Sequence, residues 1–63
     1  MRLTKLATTC ENGDCPTLYA TDRGTLIVQG GVPTGHGLDL PEGEALVEIP
    51  MDLIRKAIRD QRI

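Results

Sequence analysis

The sequence predicts a small α+β domain: a three- or four-stranded, mainly antiparallel sheet with one C-terminal helix packed on a face. Three observations predict it. Short runs rich in Thr, Leu, Ile and Val recur at 2–9, 17–22, 25–29 and 45–49, separated by Gly, Pro, Asn and Asp. The last 14 residues, "PMDLIRKAIRDQRI", change to a helical pattern. Between the two regimes lies a stretch of five glycines and two prolines, "GGVPTGHGLDLPEGE", over 30–44. At 63 residues the chain is one domain, 1–63.

Residues 2–9, "RLTKLATT", read as the first strand, closed by Asn12-Gly13, a strong tight-hairpin signal. Residues 17–22, "TLYATD", read as the second. "TDRG" at 21–24 suits a three-residue connection with Gly24 in the left-handed position. In 25–29, "TLIVQ", three consecutive apolar residues (Leu26, Ile27, Val28) imply cover on both faces, as at the centre of a meander. In the Gly/Pro segment, Val32, Leu38 and Leu40 are expected to pin the loop to the body. "ALVEI" at 45–49 reads as a fourth strand. Pro50 suits the entry to a helix. Asp52 lies near its positive end and Arg55 to Arg62 near its negative end. Leu53, Ile54, Ala57 and Ile58 form its apolar stripe.

Composition narrows the functions open to the chain. Tyr19 is its one aromatic residue, so the core must be aliphatic. A chain this short buries only about 60% of the surface its unfolded form exposes. A metal, a disulfide or a partner chain is the usual supplement, and a homodimer is expected. Charge is unevenly spread. Residues 11–52 carry eight acids against Arg23, a net -7; residues 53–63 carry Arg55, Lys56, Arg59 and Arg62 against Asp60, a net +3. That balance argues against tight binding to duplex nucleic acid, which needs a broad positive surface. No apolar run reaches the ~20 residues of a membrane span, and "MRLTKLATT" lacks the features of a signal peptide. A cytoplasmic protein with reduced thiols is therefore expected.

The candidate sites are few. In "CENGDCP" a two-residue hairpin would set Glu11 opposite Asp14, a like-charge pair, and Cys10 opposite Cys15. Thr9 would then face Pro16, which has no N–H to give. Facing thiols permit packing as two small hydrophobes, a disulfide, or redox or metal chemistry. Structural thiols with no ion are the expectation here. Zinc usually takes four ligands, and only His36, Glu11 and Asp14 stand as further conventional donors. His36, in "TGHGL", is expected to be a solvated loop residue. The Gly-rich run lacks the Gly-Lys-Ser/Thr ending of a phosphate loop. The chain has no serine, and no Cys has a His nearby in sequence. Nothing suggests a nucleophile and base, so no enzyme is expected. Arg55, Lys56, Arg59 and Arg62 form a basic helix face that suits either solvent or an acidic partner.

The order "CPTLYATD", "TLIVQGG", a Gly/Pro/Asp loop and "LVEIPMDLIRKAI" resembles the small actinobacterial proteins of the BldB-like family, over roughly residues 10–60. It departs from their pattern in lacking a helix Trp and in carrying Gln29-Gly30 where they have Arg-Asp-Ser. The resemblance implies a developmental or toxin–antitoxin-like regulator encoded beside helix-turn-helix proteins. The leading expectation is a non-catalytic regulatory or interaction module that acts through a protein partner, a helix-turn-helix transcription regulator by that resemblance. The alternative is a small metal- or redox-binding module centred on Cys10 and Cys15, with zinc the one cofactor in view. A third reading is nucleic-acid binding through the helix.

Overall fold

The sheet is a three-stranded antiparallel meander in the order β1-β2-β3, with one helix after it, in a computed structural model that describes residues 1–10 and 15–63. The strands are β1, Leu3–Thr8; β2, Thr17–Thr21; and β3, Leu26–Gln29; the helix is α1, Met51–Arg59. The small α+β architecture is thus the one the sequence predicts. The Asn12-Gly13 turn lies outside the described residues.

Thr8 pairs with Thr17 and Ala7 with Leu18, the register a two-residue hairpin sets. The register then shifts between Lys5 and Ala7, so Leu6 is an inserted residue. The bulge has a packing consequence. Without it, Lys5 and Ala7 would share one face. With it, Lys5 pairs with Tyr19, and Tyr19 with Ile27, on the face away from the helix. The opposite face presents the row Ala7, Leu18, Val28. Helix α1 packs against β1 and adds Leu53 and Ala57. Ala7, Leu18, Leu53 and Ala57 are the buried core; Leu6, Val28, Ile49 and Ile54 pack around it. Of the predicted helix stripe, Ile58 stays 58% exposed.

The β2–β3 connection is as read. Asp22, Arg23 and Gly24 span it, with Gly24 at φ 75°. Thr21 N–H donates to Thr25 O at 2.9 Å, and the Thr21 hydroxyl accepts from Arg23 N–H and Thr25 N–H. Threonine at both ends therefore satisfies the backbone that the turn leaves over.

Three expectations are corrected. The fourth strand over 45–49 is reduced to one bridge, Gly31 with Glu48, which exchange N–H···O bonds of 3.2 and 2.8 Å. The next hydrogen-bonded pairs along such a ladder would be Gln29 with Pro50 and Pro33 with Leu46. Each contains a proline, whose missing N–H removes one of the pair's two bonds, so the ladder is weakened on both sides of the bridge. As a result β3 is an edge strand and not the covered centre of a meander; Leu26 is 48% exposed and Ile27 and Val28 only half-buried. Finally, Val32, Leu38 and Leu40 do not pin the loop: they are 81%, 60% and 42% exposed. Half-buried Leu46 and Ile49 face inward instead, and Ile49 packs on the core.

The helix ends in a Schellman turn. Arg62 N–H donates to Ala57 O at 2.8 Å and Gln61 N–H to Ile58 O at 3.0 Å. Gln61 occupies the left-handed position, φ 56°, where glycine is usual. Replacing Gln61 by Gly removes that strain, and should stabilise the fold by about 0.5–1 kcal/mol; a lower urea midpoint for Gln61→Gly would show that the side chain matters more than its backbone.

Candidate functional site

Cys10 and Cys15 are joined in a disulfide, with Cα atoms 5.8 Å apart, inside the range such bonds span. The sequence reading favoured separate structural thiols; the structure corrects this. The cause is the hairpin register. Thr8↔Thr17 leads to Thr9 beside Pro16, then to Cys10 beside Cys15. Pairing continues through Pro16 although it has no N–H to give. Its missing N–H removes one bond of the pair, but its carbonyl still accepts Thr9 N–H at 3.2 Å.

Hydroxyls and an amide hold the neck of this hairpin. The Thr17 hydroxyl donates to Cys15 O at 2.8 Å, and Gln29 Nε2 donates to the same oxygen at 3.0 Å. The Thr8 hydroxyl lies 3.0 Å from that of Thr17 and 3.3 Å from Pro16 O, and it accepts Cys10 N–H at 3.4 Å. Each hydroxyl has one proton. With Thr17's proton on Cys15 O, Thr8's proton is left for the Thr17 oxygen. Pro16 O is already served by Thr9 N–H. Every group then has a partner, which makes burial of the Thr17 side chain tolerable. Sequence reasoning did not single out Thr8, Thr17 or Gln29. The signal was present in the register, which puts Thr8, Thr17 and Gln29 in one cross-strand row.

Beside the disulfide is a shallow groove of about 250 Å³ lined by Cys15, Pro16, Gln29, Gly30 and Gly31. A Cβ at Gly30 would sit 2.6 Å from Glu48 O and 2.7 Å from Ile49 Cγ2.

The helix cations divide into two groups. Lys56 Nζ donates to Thr8 O at 3.0 Å, and Arg62 Nη2 to Lys5 O at 3.3 Å. Both cover carbonyls of the edge strand β1, a common protection against unwanted pairing. Arg62 reaches Lys5 because the Schellman turn reverses the chain. Arg55 pairs with Asp52 at 2.9 Å and Arg59 with Asp60 at 3.2 Å. The first of these pairs is highly exposed, 67% and 85% for its side chains, and such pairs contribute about 0–1 kcal/mol. Asp52, Arg55, Lys56 and Arg59 line an open concavity of about 450 Å³. Of the four residues read as a partner-binding face, three therefore share a surface and Arg62 lies elsewhere.

His36 Nδ1 accepts Leu38 N–H at 3.0 Å, so a neutral imidazole carries its proton on Nε2. Glu11 and Asp14 lie outside the described residues. Among the described residues no three His, Cys, Asp or Glu side chains gather as a metal site, and no helix is long and apolar enough to cross a membrane. No protein-family model, no curated protein and no solved structure matches the chain.

Proposed function

We propose that the chain is a non-catalytic regulatory interaction module that pairs with a second copy and acts through a protein partner. One observation carries this reading: the chain exposes more surface than its mass requires. Its accessible surface is 4974 Å², whereas a compact monomer of 6.8 kDa exposes about 4000 Å². The excess, about 1000 Å², matches the roughly 800 Å² that each side of a standard interface buries. The radius of gyration, 12.7 Å, likewise exceeds the ~10.6 Å of a compact chain of this length. Ten large hydrophobics among the described residues are exposed against four buried core residues.

The resemblance to BldB-like proteins points to a helix-turn-helix regulator as the partner. The Arg55, Lys56 and Arg59 surface supplies charge for its acidic residues, because weak exposed ion pairs are readily exchanged. Calorimetric titration of the pure chain with a helix-turn-helix regulator of the class that the BldB-like resemblance implies tests this. Micromolar or tighter binding with a negative heat-capacity change is expected, weakened by Arg55→Glu with Arg59→Glu. An absence of heat and of co-sedimentation would defeat the reading.

The disulfide favours a second reading, a small redox module centred on Cys10 and Cys15. In a reducing compartment, where this chain is expected to work, the disulfides that do form are usually transient and catalytic or sensing. Metal binding at the same pair would first require that bond to be reduced, since thiolates are the ligands.

A further inference from the structure

We propose that the Cys10–Cys15 disulfide is a reversible exchange site, in which Cys15 is the sulfur attacked by a low-molecular-weight thiol. The proposal rests on the redox reading and is independent of the protein partner. Three observations converge on it.

The first is access. The groove beside the disulfide is bordered by Cys15 and, among the described residues, not by Cys10. Its other walls are Pro16, Gln29, Gly30 and Gly31, and the space a side chain at Gly31 would take is open to an entering thiol. Both cysteines are half-buried and not enclosed in the core.

The second is that contacts other than the bond also hold the register. The Thr8–Thr17 pair, the Thr9 to Pro16 hydrogen bond and the hydroxyl network at Thr8 and Thr17 set the register without it. The buried core, Ala7, Leu18, Leu53 and Ala57, lies further down the sheet. Opening the bond therefore leaves these contacts in place.

The third is that the dithiol is held ready to close again. Two hydrogen bonds fix the Cys15 carbonyl, and Cys10 N–H is held by the Thr8 hydroxyl. These keep both backbones in place, so re-formation is intramolecular and needs little ordering.

The reaction balances without a metal or cofactor. A thiolate attacks Cys15 Sγ, forming a mixed disulfide as the Cys10–Cys15 bond breaks. The electron pair of that bond leaves on Cys10 Sγ, which takes a proton from water. A second thiolate then attacks the thiol-derived sulfur of the mixed disulfide and releases Cys15 as a thiolate, which is also protonated. The chain gains two electrons and two protons, and two thiols become one oxidised disulfide molecule.

The experiment uses the oxidised full chain with reduced glutathione as the probe, acid quenching and fragmentation mass spectrometry. The expected early product carries glutathione on Cys15. A companion experiment treats Cys10→Ser and Cys15→Ser proteins with oxidised glutathione. The thiol of Cys15 in the first variant is expected to react about tenfold faster than that of Cys10 in the second. Exchange that falls equally on both sulfurs, or mainly on Cys10, overturns the assignment of Cys15 while sparing the redox reading. A disulfide that resists millimolar thiol in the folded chain overturns both. The wild-type trapping needs no variant, so a misfolded substitution does not decide the outcome.

Discussion

Leu18→Ala should unfold most of the isolated chain at room temperature. Leu18 is buried on β2, the middle strand, between Ala7 on β1 and Val28 on β3. Truncating a buried leucine costs about 2–5 kcal/mol, the lost transfer energy together with the cavity left behind. A chain of this length has a total stability of only about 3–9 kcal/mol. The core holds one other large buried side chain, Leu53, the remainder being two alanines. Little material is available to collapse into the space. Leu26→Ala, at a site 48% exposed on the edge strand, should cost less than about 1 kcal/mol in the same urea titration. Equal losses at the two positions would mean that the core is elsewhere.

Gly30→Ala should destabilise the chain by about 1–3 kcal/mol, as overpacking against an unyielding neighbour does. The new methyl would lie 2.6 Å from Glu48 O, a backbone atom, and 2.7 Å from Ile49 Cγ2. Glu48 O accepts the Gly31 N–H in the bridge that ties 45–49 to the sheet, and Ile49 packs on the core. Relieving the clash means displacing both. Gly31→Ala is the control. A Cβ at Gly31 meets nothing within 4 Å, so its effect should stay within about 0.5 kcal/mol. Comparable losses for Gly30→Ala and Gly31→Ala would show that backbone freedom, and not contact with Glu48 and Ile49, is what glycine supplies here.

These two cases also mark what the sequence could reveal. The strands at 17–21 and 26–29, the Gly24 turn and the helix from Met51 were legible because each has a local cause: a short Thr/Leu/Ile/Val-rich run, a left-handed glycine, an amphipathic stripe. The Cys10–Cys15 juxtaposition was legible too, since Asn-Gly fixes a hairpin register that the pairing of Thr8 with Thr17 follows. The bond between the sulfurs was not, because thiols at one spacing serve packing, metal and redox roles alike. The fourth strand failed for a non-local reason. "ALVEI" has strand composition, but its pairing depends on Pro33 and Pro50, each of which removes a ladder bond on either side of Gly31 and Glu48. The partners of the helix cations were equally hidden, since Lys56 and Arg62 meet β1 carbonyls about fifty residues away in sequence.

The excess surface is the centre of the functional account, and sedimentation equilibrium of the pure chain tests it most directly. If about 1000 Å² of surface awaits a partner copy, the weight-average mass should rise from 6.8 kDa towards twice that value across the micromolar range. The transition should shift to higher concentration when Leu26→Asp or Ile58→Asp places a charge on the exposed apolar surface of β3 or α1. A mass that stays at 6.8 kDa throughout that range, unchanged by either substitution, would contradict the account.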